Sequence, residues 1–363
     1  MAKAYIISAK RSIVAPINGA LAALELHELA APVITDCLQT AGLAPDQVDE
    51  VILSNALYGG GNPARLAALA AGLPETVAGL SIDRQCVGGL DAILLAANIV
   101  KSGAANVIIA GGAESYSRRP IRQKTYLDGR PPQTYDRPPF TPWCDRDPDM
   151  HKAADDLNIS QADQDAWAIE SHAKALAHQD HITAEITRLT NVPETSDPYA
   201  RRLTPALCKR AKPLSGSITN ANTAVAADAA AFCLIVSEDM LKTLPNPQAV
   251  EIGAGVTLGA DPTLPGLAPV SAIKAIGADA QSFTHIEIME AYAAQAIACV
   301  KAAGLNPESV NQKGGALARG HPIGASGAVL AVRLYHDLLE TGGTGLAAIA
   351  AAGGLGTALQ LNS

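Results

Sequence analysis

Aromatic side chains are scarce in this sequence: three Phe, two Trp and eight Tyr make up 4% of 363 residues. A core with so few large rings is filled by small side chains, which lets helices and strands pack closely. Positive charge is not in excess either. Lys and Arg number 27 against 35 Asp and Glu, a formal net charge of -8, and no basic stripe dominates, so nucleic acid is a poor partner. Long apolar runs are missing, and the N-terminal MAKAYIISAKRS is too short for a signal h-region with its cleavage site. No membrane partner is expected. The six cysteines contain no C-x-x-C pair, and a chain of this size needs no disulfide framework. A reducing cytoplasmic setting and no metal centre are expected.

What is abundant is apolar residues, 48% of the chain. Short β-like runs (YIISA, EVILSNAL, VIIAGGAE, AFCLIVSED) alternate with helical stretches closed by Gly (LAAPVITDCLQTAG, LDAILLAANIVKSG, AVLAVRLYHDLLETGG). That alternation predicts an α/β fold with buried sheets. A weak repeat is visible: CLQTAGLAPDQV from Cys37 to Val48 and CVKAAGLNPESV from Cys299 to Val310. Both read as a helix end, a Gly cap and a Pro turn, and they suggest a duplicated half-domain. Between Ser115 and about Ala221 the chain is rich in Pro, Arg and Asp, then turns amphipathic, with ISQADQDA as a capped helix start. Trp143, Trp167 and that helix suggest a packed subdomain inserted over the core.

Two motifs carry chemistry. In SIDRQCVGGLDAILLAANIVKSG, Cys86 precedes Gly88-Gly89 and an apolar helix. A helix N-terminus favours the thiolate, so a lowered thiol pKa is expected. The glycines are expected to admit a substrate backbone or a second strand. In KGGALARGHPIGASGAVLAV, His321 sits in a Gly-rich loop ahead of a helix. It could take the Cys86 proton or donate to an oxyanion. Glu290, at an apolar helix start in IEIMEAYAAQAIACV, needs a partner; a structural role, satisfying loop N–H groups, is the favoured reading. LAAIAAAGGLGTALQ runs into Gly353-Gly354, and Asn222 and Asp228 stand beside small residues in SGSITNANTAVAADAAAFCLIVSED.

Together these motifs, in this order, resemble the thiolase family from SAKRSIVAP to GGLGTAL, with GGALARGHPIGASG the most specific and QCVGGLDA the next. The resemblance implies a thiolase fold: two βαβαβαββ halves in five layers (α-β-α-β-α). It divides the chain into an N-terminal half (1-114 and 222-248), an inserted loop subdomain (115-221) and a C-terminal half (249-363). It implies an acyltransferase in which Cys86 takes the acyl group from acyl-CoA and His321 activates it. The Cys86 and Ala352 N–H groups form an oxyanion hole. Met289, Ala291, Tyr292 and Ala224 fall in the family's substrate-binding segments. It implies no permanently bound cofactor, with a coenzyme A thioester as substrate, and a homodimer or homotetramer.

The sequence departs from the family at several points. Ala350 stands where the family holds a second Cys, the acid/base of carbon–carbon bond making. The family's N-E-A-F or H-E-A-F motif reads Met289-Glu290-Ala291-Tyr292, so the polar residue that positions a water is gone. A pantetheine-contacting Ser is replaced in the run Asn222 to Val225. A family His has no clear counterpart, since PDMHK puts Met150 and His151 one place out of register. Glu287, His285 or a residue of the insertion could fill the gap at Ala350. Two other readings stand beside this one. One is a non-catalytic or partner-dependent acyl-CoA-binding protein. The other is a nicotinamide-dependent oxidoreductase, with Gly59-Gly60-Gly61 as phosphate loop and Asp83 as ribose acid.

Overall fold

A computed structural model describes residues 2–363. Nine strands follow one path through the molecule. They are β1 (Ala4–Arg11), β2 (Glu50–Ser54), β3 (Ala78–Ile82), β4 (Val107–Glu114), β5 (Ala227–Ser237), β6 (Val250–Gly259), β7 (His285–Ile288), β8 (Thr344–Ala351) and β9 (Leu355–Asn362). The order is β7-β8-β9-β6-β1-β5-β4-β2-β3. The two halves of this path join where Tyr5 and Ile6 of β1 pair with Glu251 and Val250 of β6. Among the described residues, seven helices of eight residues or more accompany the strands: α1 (Leu26–Ala41), α2 (Pro63–Ala70), α3 (Gly88–Lys101), α4 (Gln161–Ala177), α5 (Ala268–Ala275), α6 (Ala293–Ala303) and α7 (Ile323–Thr341).

The halves repeat each other. In the first, β2 is parallel to β3 and β4, β4 is antiparallel to β5, and β5 is antiparallel to β1. In the second, β7 is parallel to β8 and to a single bridge at Val310, β8 is antiparallel to β9, and β9 is antiparallel to β6. The repeat read in the sequence lies at equivalent places. Gly42 closes α1 at φ 67°, ψ 25°, and Gly304 closes α6 at φ 67°, ψ 29°. Each is followed by a 3₁₀ turn, Pro45–Gln47 and Pro307–Ser309. Only glycine takes that left-handed cap without steric cost.

Alternation of side chains along the strands builds the layers. Ile52, Ile108 and Ile235 face inward with Ile349 and Leu361, onto α3 and α7. Val51, Ile109 and Phe232 face outward onto α1 and α2. Ile286, Leu346 and Ala348 face outward onto α5 and α6. The result is α-β-α-β-α, the five-layer architecture expected. The middle layer is tight because of its small residues. A Cβ on Gly89 would come within 2.7 Å of the Ala328 backbone, and one on Gly327 within 2.4 Å of the Leu90 nitrogen. This corrects the sequence reading of Gly88-Gly89 in part. Gly88 admits Ser54 at the end of strand β2, as a second strand was expected to approach, whereas Gly89 admits helix α7 in place of a substrate backbone.

Between β4 and β5 the chain forms a small hairpin (Arg122–Lys124 with Gln133–Tyr135), a short helix Met150–Asp155, and α4. Ser160 caps α4 by accepting from Asp163 N at 3.2 Å, as its sequence predicts. Trp167 is partly buried, but Trp143 is 52% exposed and does not contribute to a core. Buried ion pairs anchor this segment. Arg11 meets Glu185 at 2.6 Å and Asp197 at 2.8 Å, and Glu185 also meets Arg333 of α7 at 2.8 Å. No helix among the described residues is long and apolar enough to cross a membrane.

Candidate active site

The duplication places the two chemical motifs face to face. Cys86 lies in the 3₁₀ turn that leads into α3, and His321 lies just ahead of α7, the equivalent helix of the second half. Because α3 and α7 pack against each other through glycine, their N-terminal ends converge. Cys86 Sγ and His321 Nε2 are 3.2 Å apart. His321 Nδ1 is 2.6 Å from Ser326 Oγ. With Nδ1–H donated to Ser326, the Nε2 lone pair faces the thiol.

Both groups are uncharged at rest. Burial, reinforced by the negative charges of Glu114 and Asp83, pushes the Cys86 thiol up to about 12. Burial also pulls His321 down to about 4. The lowered thiol pKa expected from the helix start is therefore not found: the cost of burying a charge outweighs the helix-terminus field. The pair is a thiol hydrogen-bonded to a neutral imidazole, ready to pass its proton as the sulfur attacks.

The loop that carries His321 is held from below. Glu114, the last residue of β4, accepts hydrogen bonds from Asn55 Nδ2 (2.7 Å), Ala56 N (3.1 Å), Leu57 N (3.3 Å) and Gly324 N (2.9 Å). Burial pushes this carboxyl up to about 7 against four donors that favour its ionised form. The sequence reading missed Glu114, though AGGAES is a recognisable segment. Glu290 is structural, as favoured. It accepts from Trp167 Nε1, Ser171 Oγ, Asn311 Nδ2 and Leu317 N at 2.8–3.1 Å, tying α4 to the segment before His321.

Cys86 and His321 open into a cavity of about 730 Å³. Ala224, Ala291, Tyr292, Ala350 and Ala352 also line it. The Ala352 N–H has no hydrogen-bond partner among the described residues. Met289 does not line the cavity; it is 2% exposed and packs in the core beneath. Glu287 and His285 are not there either. Glu287 is buried 3.7 Å from Arg319, and His285 bonds Gln312 and Thr341. Asn222 and Asp228 hold backbone. Asn222 accepts from Thr219 N at 2.8 Å, and Asp228 accepts from Ser117 N at 2.9 Å. Gly59 to Gly61 lead to Asn62, which caps α2 by accepting from Arg65 N. A residue of the insertion does reach the cavity: His151, whose Nδ1 is 3.1 Å from the Tyr292 hydroxyl.

Known proteins carry the same plan. The family described as Thiolase, N-terminal domain, matches residues 4–239, and Thiolase, C-terminal domain, matches residues 247–363. A Bacillus subtilis protein named "Putative acetyl-CoA C-acetyltransferase YhfS" is 38% identical, with 98% of each chain covered. A Staphylococcus haemolyticus protein named "Putative acetyl-CoA C-acetyltransferase VraB" is 35% identical over 99% of this chain and 98% of its own. The crystal structure of the Bacillus anthracis acetyl-CoA acetyltransferase superposes with a TM-score of 0.92 at 32% identity, covering 100% of this chain and 99% of that one. Two family matches that together span nearly the whole chain, and relatives aligned end to end, show that the chain belongs to the thiolase family of acyltransferases.

Proposed function

We propose that the protein takes an acyl group from a coenzyme A thioester onto Cys86. The observation that carries this reading is the 3.2 Å contact between Cys86 Sγ and His321 Nε2 at the floor of an open cavity. As Cys86 attacks the thioester carbon, its proton passes to His321 Nε2, and the departing coenzyme A thiolate takes that proton back. The Ala352 N–H and the Cys86 N–H donate to the thioester oxygen as it gains charge. Ala224, Ala291 and Tyr292 contact the acyl-pantetheine arm. Coenzyme A enters as substrate, and no resident cofactor is needed for this step. The names of the relatives favour acetyl-CoA as donor and carbon as the acceptor atom.

A single-turnover assay tests the reading. Mixing enzyme with excess acetyl-CoA and a thiol-reactive dye should release a burst of one coenzyme A per Cys86, lost in Cys86→Ala. A burst of equal size in Cys86→Ala would move the nucleophile elsewhere. Complete absence of a burst with every acyl-CoA tried favours the binding-protein alternative.

The acting form is inferred to be a homodimer or larger, working in the cytoplasm in acyl-lipid metabolism. The supporting feature is β3, which pairs on one side only, with β2, and leaves an open edge. Sedimentation at micromolar concentration tests this; a stable monomer contradicts it.

A further inference from the structure

The cavity has lost one acid/base and gained another. Ala350 lines it with a methyl group where the resemblance puts a thiol, and Met289 has withdrawn its side chain into the core. The motif that lost its polar first residue ends in Tyr292, which adds a hydroxyl to the cavity wall. That hydroxyl meets an imidazole: Tyr292 Oη and His151 Nδ1 are 3.1 Å apart, with the rings edge to face at 88° and centroids 5.6 Å apart. His151 is placed by its own helix start, where Asp149 accepts from His151 N at 2.9 Å. His151 Nε2 makes no hydrogen bond to any described residue. Tyr292 is tied to the Cys86 side of the cavity. The extended segment from Thr223 to Ala226 bridges Tyr292 at one end and His321 at the other.

We propose that His151 is the base of the carbon–carbon bond step, and that Tyr292 both holds it and donates to the enolate oxygen. The inference rests on the reading of Cys86 as acyl carrier. When Nδ1–H donates to Tyr292 Oη, the Nε2 lone pair is free and so is the phenol proton. Base and donor then stand side by side, the pairing needed to enolise a thioester, whose α-carbon and carbonyl oxygen are neighbours. Burial and the negative charge of Asp149 push the phenol well above the usual tyrosine range, so it remains a donor. The step balances as follows. Nε2 takes one α-proton from the second acetyl thioester. The resulting carbanion forms a bond to the acyl carbon on Cys86, and the carbon–sulfur bond breaks. Cys86 leaves as thiolate, and the proton taken by His151 returns to it, released to water and relayed through His321 Nε2. Reversal of each step is thiolysis.

Proton exchange isolates His151 from Cys86. In D₂O the wild-type enzyme should wash deuterium into the methyl group of acetyl-CoA, read by mass spectrometry of the recovered thioester. His151→Gln should slow this wash-in by about 10²-fold or more, the usual contribution of a general base, while the coenzyme A burst at Cys86 stays within about twofold. Tyr292→Phe should slow the exchange as well. Imidazole added to His151→Ala should restore part of the exchange, which a merely structural role would not allow. Unchanged exchange in His151→Gln, or a wild type that acylates on Cys86 yet exchanges no α-hydrogen, overturns the proposal and leaves the Cys86 reading standing. Exchange without any burst leaves His151 as base and removes the Cys86 reading instead.

Discussion

His321 Nδ1 and Ser326 Oγ lie 2.6 Å apart, across the first turn of the helix that His321 precedes. The contact holds the ring, and with Nδ1–H donated to the hydroxyl it leaves Nε2 as the base toward Cys86. Ser326→Ala removes that acceptor without changing the fold of a small-residue helix. Cys86 acylation should slow by about 3–10-fold, the worth of one ordinary hydrogen bond. His321→Ala should cost far more. The Cys86→Ala/His321→Ala double variant should be no slower than Cys86→Ala alone, since the two act as a unit.

The pH dependence follows from the direction of the His321 shift. Its folded value is lowered from 6.5 to about 4 by burial, so the unfolded chain binds the proton more readily. Neutral imidazole, the form that accepts the thiol proton, persists in the folded enzyme as pH falls through 6.5 and is lost only through about 4. The acylation rate of Cys86 should hold down to about pH 5, where an unperturbed histidine would be largely protonated. The same shift withdraws stability as pH falls from 6.5 toward 4. An acylation rate that halves near pH 6.5 in stopped-flow measurements would contradict this account of the site.

Glu114 positions the His321 loop through Gly324 N. Glu114→Gln keeps the shape but turns an amide NH₂ toward backbone donors. The conflict should cost about 1–3 kcal/mol of stability, the penalty of an unsatisfied buried group. Urea unfolding measures this loss. Acylation should slow in the variant while its circular dichroism stays native. Full acylation speed would show that the Gly-rich loop holds His321 without help.

Ala350 lines the same cavity as Cys86, His321 and His151. In the wild-type background Ala350→Cys should change thiolysis of acetoacetyl-CoA little, because His151 already supplies a base. In the His151→Gln background the new thiol should raise thiolysis by about tenfold or more. Adding Met289→Asn should lower stability, since Met289 is 2% exposed and packs in the core. A large gain in the wild-type background would show that the native cavity has no working base.

Arg11 is fully buried between Glu185 and Asp197. Arg11→Met leaves Asp197 without its cation and Glu185 with Arg333 alone, a loss of about 3–5 kcal/mol. Thermal unfolding should show it as a marked fall in Tm, and the segment containing Glu185 should gain hydrogen exchange. A change below about 1 kcal/mol would mean that Arg333 alone holds Glu185.

Much of this was legible in the sequence because it depends on local pattern. The Gly-closed helices, the Pro turns after Gly42 and Gly304, the Ser160 cap, and the nucleophile and imidazole ahead of their helices all follow from short motifs. What the sequence hid depends on contacts between distant segments. His151 and Tyr292 meet across 141 positions, and Met150 and His151, one place out of register with the family, both line the cavity. Glu114 joins donors from two separate loops. Nothing local marks Arg11 for burial; its partners Glu185 and Asp197 lie 174 and 186 positions away. The Cys86 thiol was misjudged for a related reason: helix position is readable from spacing, but the depth of burial that overrides it is not.

The central claim is that Cys86 carries the acyl group. Intact-protein mass spectrometry after brief incubation with acetyl-CoA and longer acyl-CoAs tests it most directly. The account predicts the mass of one acyl group per chain, mapped by peptide analysis to Cys86 and absent from Cys86→Ala and Cys86→Ser. An acyl mass that persists in Cys86→Ala, or maps to any of the other cysteines, would contradict it.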